Sequence, residues 1–280
     1  MTSASPPHVA RTEHIILTRF NLPTPGREAA IRARPGWLAR RFELFESICL
    51  PSVVSQIEQD FLWIIYFDVA TPQAFRDRID RLRRRYPFIP FFTGMFDDTG
   101  WSRSLRNVLH DGGRTPKLIL TTRLDSDDAL SRDYTQRVQQ VARRSRTPKA
   151  LNITRGCIRT QSSAYQITHA SNAFFSLLEP YDGPVRTAAA IQHMNLHGHL
   201  PVTQIDGPPG WLQVVHGDNV SNKIRGRRAH PGTFRDAFFE GALAGVPPPS
   251  RLSLLTENTL LTPLRRCRDD LAARRRQPSF

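Results

Sequence analysis

The stretch from Phe61 to Phe67, FLWIIYF, constrains the fold of this chain more than any other segment. It lies between Asp60 and Asp68 and lacks the polar alternation of a half-exposed strand. Such a run predicts a strand at the centre of a sheet that is covered on both faces. Sheets of this kind are mostly parallel, because the connections between parallel strands place helices over both faces. The sequence therefore favours an α/β fold.

Strands and helices alternate along the first 145 residues, which supports a mostly parallel central sheet flanked by helices. The interval 26–36 carries glycine and proline and is predicted to be a loop. The predicted elements are, in order, strand 14–20, helices 37–49 and 51–56, strand 61–67, helix 71–85, strand 88–92, helix 101–110, strand 117–124 and helix 131–144.

After Ala150 the pattern changes to short strands separated by stretches rich in glycine, proline and histidine, which predicts a smaller, mixed C-terminal part. The strands expected there are 151–154, 164–168 and 211–216. We expect a disordered lead-in at 1–13, a single domain at 14–246 with halves at about 14–145 and 146–246, and a basic helical segment at 247–280.

Arginine dominates the charge of the chain. Of 39 basic residues only Lys117, Lys149 and Lys223 are lysines, and the formal net charge is +14. A field this positive favours anionic partners, such as nucleotides or an anionic membrane surface. No zinc-finger, RNP or basic-zipper pattern accompanies the arginines, so we expect no nucleic-acid partner.

The sequence predicts a cytoplasmic protein. Its longest apolar run, Phe61 to Phe67, is far shorter than the ~20 residues that span a bilayer, and the N-terminus lacks the apolar part of a signal peptide. Cys49, Cys157 and Cys267 are far apart in the sequence and are expected to be reduced thiols. The positive charge allows peripheral contact with the inner membrane face.

Three carboxylates stand close together at the end of a predicted strand, in the pattern Asp125-x-Asp127-Asp128. On an extended backbone Asp125 and Asp127 point to the same side, where two oxygens suit a divalent ion such as Mg²⁺ or Mn²⁺. Ligands of open α/β sheets bind at the carboxyl ends of the strands, and Asp68 also follows a strand. The alternative is an acidic turn that caps the next helix.

Several segments resemble family-2-like glycosyltransferases of the GT-A fold. The segment 49–68 resembles their S-V-x-x-Q…D-F segment and the strand after it, Leu105-Arg106-Asn107 resembles their A-R-N helix, and LDSDD at 124–128 resembles their L-D-x-D-D strand end. A closer resemblance is to a bacterial rhamnosyltransferase family and covers about 14–228. It is carried by LTRFN at 17–21, RFELF at 41–45, TRLD at 122–125 and WLQVVHGDNVSN at 211–222.

The resemblance implies a nucleotide-sugar site. Asp68 is expected to contact the base or ribose, Arg106 and Asn107 to line the nucleotide pocket, and Asp125 and Asp127 to hold the metal and the diphosphate. Only one acidic residue follows the second strand, where related enzymes usually carry more, which leaves the recognition of the base open. Further donor contacts are expected from residues that flank strand ends or follow the late polar loop: Thr18, Arg19, Arg123 and Arg225.

His216 follows the last predicted strand and precedes Gly217. A late histidine often completes the metal or phosphate site of GT-A enzymes, so the resemblance implies His216 as a third metal ligand. His193, His197 and His199 form a spaced cluster without the accompanying pattern of a zinc site.

Inverting transfer requires a base that deprotonates the acceptor hydroxyl. The sequence offers Glu179, Asp182 and Asp206 downstream of the aspartate motif and does not choose among them. Glu179 follows an apolar run, where burial favours a raised pKa, and is the first candidate, with Asp206 as the second.

The function expected is metal-assisted transfer of a sugar, rhamnose by the resemblance, from a nucleotide-sugar donor to a glycan or lipid-linked acceptor. Two alternatives stay open: a nucleotide- or polyanion-binding protein without catalysis, and a nucleotidyltransferase that uses the same aspartates. The sequence has neither a P-loop nor a GxGxxG motif, which argues against kinases and dehydrogenases.

Overall fold

The computed structural model describes residues 12–95, 99–145, 147–192, 196–217 and 224–264. Two mixed sheets and their flanking helices form the architecture. The nine helices described are α1 (Arg27–Arg32), α2 (Trp37–Leu44), α3 (Leu50–Val54), α4 (Gln73–Arg85), α5 (Gly100–Asp111), α6 (Tyr134–Arg143), α7 (Thr187–Ala190), α8 (Leu196–His199) and α9 (Arg251–Thr256).

The larger sheet has seven strands in the order β10-β6-β9-β4-β1-β2-β3. All of its pairings are parallel except those of β9, which runs against both neighbours. The α/β class with a mostly parallel central sheet is thereby confirmed. The strands are β1 (Thr12–Arg19), β2 (Leu62–Asp68), β3 (Ile89–Thr93), β4 (Leu118–Asp125), β6 (Lys149–Ile153), β9 (Ser176–Pro180) and β10 (Val202–Ile205).

The smaller sheet has five strands in the order β12-β8-β7-β11-β5 and contains both parallel and antiparallel pairs. It confirms the smaller mixed part that was expected after residue 150. Its strands are β5 (Ala129–Leu130), β7 (Arg155–Arg159), β8 (Ala164–Thr168), β11 (Trp211–Val214) and β12 (Arg227–Ala229).

Strand β2 is covered on both faces, as its unbroken apolar sequence predicted. Trp63 and Ile65 pack in one core cluster with side chains of α2, α3 and α6, whereas Ile64 and Tyr66 pack in another with α5. Both clusters bury large side chains completely, which fixes the register of the sheet and hence the position of every strand end.

Three features differ from the expectation. Helix α1 lies within the predicted loop at 26–36. The predicted helices 37–49 and 51–56 are joined through a π-helical turn, Phe45–Cys49, just before Pro51, where the wider turn avoids a clash between the proline ring and the preceding turn. Strand β1 begins at Thr12, inside the expected lead-in, while residues 1–11 lie outside the described residues.

Candidate functional site

The carboxyl ends of β1, β2 and β4 meet at one edge of the larger sheet. Arg19, the last residue of β1, pairs in register with Asp125 of β4 and with Tyr66 of β2. Asp68 ends β2, two residues after Tyr66. The predicted neighbourhood of strand-end side chains therefore exists, because parallel pairing aligns these ends.

Asp127 lies at the centre of this edge and is almost fully buried. Its Oδ2 atom is 2.8 Å from Nη1 of Arg41 and 2.9 Å from Nε2 of His216. The smaller sheet creates this contact: β5 follows the aspartates directly and pairs with β11, and His216 comes two residues after β11. Two elements distant in sequence thus converge on one carboxylate.

The pKa values of the neighbouring aspartates are shifted in opposite directions. Burial raises the pKa of the Asp127 carboxyl, but the charge of Arg41 and the hydrogen bond from His216 outweigh burial, and the net pKa is lowered. Burial, and then the charges of Asp127 and Asp125, raise the pKa of Asp128 well above its ordinary value. Asp128 also accepts a hydrogen bond from the backbone N–H of Val214 at 2.8 Å. The acidic triplet is therefore tolerated because Asp127 is paired and Asp128 favours its neutral form.

Two further ion pairs flank the centre. Nη2 of Arg123 is 3.3 Å from Oδ2 of Asp125, and Nη2 of Arg19 is 3.3 Å from Oε1 of Glu28 on α1. The charge of Asp125 raises the pKa of Arg123. Of the arginines predicted to contact the donor, Arg19 and Arg123 therefore lie at this edge, each paired with a carboxylate.

Asp68 belongs to a second cluster beside the first. Its Oδ2 atom is 3.0 Å from Nη2 of Arg32, and its backbone N–H donates to the side chain of Asn21 at 3.0 Å. The Arg32 and Arg41 guanidinium groups stand 5.8 and 5.7 Å from the ring of Trp37. Trp37 therefore joins the Asp68 cluster to the Asp127 cluster.

An open groove of about 680 Å³ adjoins His216. One wall is the outer face of α2 and the turn after it. The lining residues are Arg34, Arg40, Glu43, Leu44, Ser47, His216 and Gly217. The groove gives a second molecule access to the imidazole that contacts Asp127.

The predicted nucleotide residues of α5 lie elsewhere. Arg106 donates to the carbonyl of Gly183, which follows β9, and stands 5.4 Å from the ring of Tyr181. Asn107 lines a pocket of about 330 Å³ beside the end of β3, together with Thr93. Neither contacts the aspartates, so the structure does not bring these two residues to the Asp127 centre.

Two predicted residues, Thr18 and Glu179, have structural roles or positions that do not fit the expectation. Thr18 is completely buried and accepts a hydrogen bond from the Trp63 indole at 2.9 Å, which excludes direct donor contact. Glu179 pairs in register with Ile119 near the start of β4, at the opposite edge from Asp125. Its buried carboxylate accepts the backbone N–H groups of Arg186 and Thr187. Glu179 therefore stabilises the turn at Arg186 and Thr187. Its position at the opposite edge keeps it away from an acceptor bound at the aspartates.

The other predicted residues of the C-terminal half lie away from the Asp127 centre. Asp206 follows β10 and accepts a hydrogen bond from the Thr154 hydroxyl at 3.0 Å, and Asp182 is exposed beyond β9. Arg225 is exposed near His169; burial, and then the charge of Arg225, lower the pKa of His169. Residues 193 and 218–223 and the side chains of His197 and His199 lie outside the description, and with them the polar loop and histidine cluster of the sequence.

The expected metal trio is only partly assembled. His216 contacts Asp127, but the carboxylate of Asp127 also pairs with Arg41, and that of Asp125 pairs with Arg123. Among the described residues, no group of three histidine, cysteine, aspartate or glutamate side chains is arranged to hold a metal ion. The donor set as arranged does not fit a divalent ion, because the Asp127 and Asp125 carboxylates are paired with Arg41 and Arg123, which an ion would have to displace. Metal dependence stays a prediction.

Sequence reasoning missed three contributors to this edge: Glu28 and Arg32 on α1, and Arg41 on α2. Arg41 had a signal, because it opens the RFELF segment that carries part of the resemblance. Glu28 and Arg32 had none, because their helix was taken for a loop.

Comparisons with solved structures give distant similarities. The chain is similar to Staphylococcus aureus TarS residues 1–349, with 9% identity, a TM-score of 0.40 and coverage of 72% of this chain and 60% of that one. It is also similar to a nucleotide-diphospho-sugar transferase described as putative from Desulfovibrio desulfuricans G20, with 13% identity, a TM-score of 0.36 and coverage of 91% and 98%. The chain thus spans under two thirds of the TarS fragment.

A comparison with curated protein sequences finds no match. In the described ranges, every helix falls short of the length and apolar character that crossing a membrane requires. The family comparison is decisive, because the model for "Putative rhamnosyl transferase" matches residues 13–228, most of the chain. The chain belongs to this rhamnosyl transferase family.

Proposed function

We propose that this protein transfers a sugar, rhamnose by the description of its family, from a nucleotide-sugar donor to a glycan or lipid-linked acceptor. The observation that carries the proposal is the contact of Arg41 and His216 with Asp127 at the carboxyl edge of the parallel sheet. The arginines at this edge, flanked by an open groove, suit a reaction in which negative charge develops on a leaving diphosphate.

Arginines meet the diphosphate in this proposal. Arg41 and Arg123 lie on neighbouring carboxylates of one strand end, and Arg19 ends the adjacent strand. A planar guanidinium binds phosphate oxygens in a bidentate manner, so exchange of a carboxylate for a phosphate keeps each arginine paired. These side chains stabilise the charge on the leaving group without any step through a metal.

The Asp68 cluster is proposed to hold the nucleoside. Oδ1 of Asp68 accepts the N–H of Ala70 at 2.8 Å, and Oδ2 pairs with Arg32. This fixes the carboxylate, whose remaining lone pairs suit the hydroxyl groups of a ribose. The Trp37 contacts place the Asp68 cluster directly beside the proposed diphosphate site.

The acceptor is proposed to enter the groove beside His216. A buried carboxylate oriented against an imidazole is the arrangement that prepares histidine to take a proton from a hydroxyl. We therefore assign the role of base to His216, in place of Glu179, which lies at the other edge of the sheet.

The test is turnover with a panel of nucleotide sugars and glycan acceptors, with the products identified. Release of a nucleoside diphosphate together with a glycosylated acceptor supports the proposal. A parallel assay supplies nucleoside triphosphates with a sugar 1-phosphate, and release of pyrophosphate there indicates nucleotidyl transfer. Binding without turnover in either assay indicates a non-catalytic protein. Arg143→Gln is the matched control for arginine variants, because Arg143 is exposed and pairs with Glu58 away from the aspartates.

A further inference from the structure

The last helix that the structure describes contacts the rest of the protein through polar side chains. It comprises α9, a π-helical turn at Glu257–Leu261, and a last turn that reaches Leu264. Asn258 exchanges two hydrogen bonds with the backbone of Arg228, at 2.8 and 3.0 Å. Ser253 accepts from the Arg228 side chain at 2.7 Å, and buried Glu257 faces the same guanidinium at 4.0 Å.

Leucines are prominent on the side of this helix that is turned to solvent. Five leucines of this helix are between 40% and 73% exposed. A surface helix normally buries its apolar stripe and exposes its polar one, so this helix is reversed. The exposed leucines are Leu252, Leu255, Leu260, Leu261 and Leu264.

The π-helical turn keeps this face continuous. Leu255 and Leu260 are five residues apart, a spacing that would move them to different sides of a regular α-helix. A turn with i→i+5 hydrogen bonds restores the alignment, and Glu257 and Thr262, also five apart, are both buried. Glu257 and Thr262 thus face the protein, whereas the five leucines are exposed together with Arg251, Thr256 and Thr259.

We propose that the leucine face of this helix, residues 252–264, lies on an anionic membrane surface. In the sequence this helix is followed by residues 265–280, which include six arginines and two aspartates. Leucines that enter the acyl boundary, with arginines beside them at the headgroups, have the composition of a helix that binds in the plane of a membrane. The inference stands independently of the proposed sugar transfer.

Charge argues against a second copy of this chain as the occupant. Two such faces in contact would bring together two segments that each carry six arginines, on chains of formal net charge +14. An anionic lipid surface instead pairs the same arginines with phosphate, and the leucines leave water in both cases.

The experiment is co-sedimentation of the full chain with vesicles of phosphatidylcholine, with and without about 30% phosphatidylglycerol. The test variant carries Leu255→Ser and Leu264→Ser. Ile57→Ser is the matched control, since Ile57 is 57% exposed on the loop after α3. A third variant replaces Arg265, Arg266 and Arg268 with glutamine.

We expect the parent and Ile57→Ser to bind anionic vesicles equally, and the leucine variant to bind at least about tenfold more weakly. The arginine variant should lose binding to anionic vesicles, and added salt should weaken the parent in the same way. Equal binding by parent and leucine variant overturns the proposal. The proposal is also overturned if the parent does not bind vesicles but forms a dimer in sedimentation equilibrium, and the leucine substitutions abolish that dimer.

Discussion

Nη1 of Arg41 lies 2.8 Å from Oδ2 of Asp127, and this contact joins a helix near the start of the chain to the end of the fourth strand. Burial lowers the pKa of Arg41, but the charges of Asp127 and its neighbours outweigh burial and raise the net pKa. The charges of this pair are therefore present at every physiological pH, so a donor would meet a fixed cation here.

Replacement of Arg41 by lysine should lower sugar transfer by about a hundredfold, because an ammonium lacks the planar fork that binds phosphate and carboxylate together. The measurement is the initial rate of nucleoside diphosphate release, with thermal unfolding recorded to confirm folding. Arg143→Gln should keep the parental rate. A lysine variant with full activity would remove Arg41 from the donor site.

Asp127→Asn and Asp128→Asn should differ sharply. The first leaves buried Arg41 without its carboxylate and should destabilise the fold by about 3 kcal/mol as well as abolish most turnover. The second keeps an oxygen for the Val214 N–H and removes a group whose raised pKa makes the folded state less stable as pH increases above about 4. Its melting temperature relative to the parent should therefore be higher at pH 8 than at pH 5. If both variants lower the melting temperature by the same amount at pH 5 and at pH 8, the assigned pKa shifts of Asp127 and Asp128 are wrong.

A nucleoside diphosphate should still bind when divalent ions are chelated, because arginines already supply positive charge at the aspartates. Calorimetric titration with the nucleoside diphosphate, once in EDTA and once in Mn²⁺, should give two Kd values that differ by less than about tenfold, or about 1.4 kcal/mol in binding free energy. Binding that disappears on chelation would restore the metal site predicted from Asp125, Asp127 and His216.

Glu179→Ala should lower stability but not the turnover number. Its carboxylate accepts two backbone N–H groups at the turn where Thr187 has a φ of 61°, and loss of these bonds should cost about 1–3 kcal/mol. Chemical denaturation measures the loss, and steady-state kinetics at a temperature where the variant is folded measures turnover. A large fall in turnover of the folded variant would reinstate Glu179 as a catalytic residue.

Acid should destabilise the protein through His14. This histidine is buried between Thr122 and Gln139, and burial lowers its pKa from 6.5 to about 3. Below pH 6.5 His14 binds a proton in the unfolded chain but stays neutral in the folded chain. The free energy of unfolding therefore falls as the pH drops from about 6.5 to 3. The slope attributable to His14 is at most about 1.4 kcal/mol per pH unit. Urea unfolding of the parent and His14→Gln at pH 6 and pH 4.5 checks this, and parallel pH profiles would refute it.

The elements of the first 145 residues could be predicted because each carries its own local pattern. The apolar run of β2 and the helical spacing of Phe75, Ile79 and Leu82 in α4 are examples. Helix α1 was not predicted, because its six residues are too few to show the helical periodicity of apolar side chains. Strand β9 was also missed, since a short apolar run does not reveal its direction or its partner.

The candidate site was predicted only where its residues lie at or directly after the ends of strands. Asp125 and Asp127 are visible as a pattern, and His216 through resemblance, but no local signal shows that Arg41 binds Asp127. That pairing results from sheet register and from the crossing of α2 over the strand ends. Glu179 was misplaced for the same reason: its apolar surroundings indicated burial correctly but not at which edge of the sheet it lies.

Trp37 gives this molecule an optical reporter. Two guanidinium groups lie 5.8 and 5.7 Å from its ring, one paired with Asp68 and the other with Asp127. The charge next to an indole shifts the energy of its excited state, and a nucleotide that draws either arginine away changes that charge. Its fluorescence should therefore follow donor occupancy at both ends of the site, in a chain whose other tryptophans, Trp63, Trp101 and Trp211, lie in packed cores.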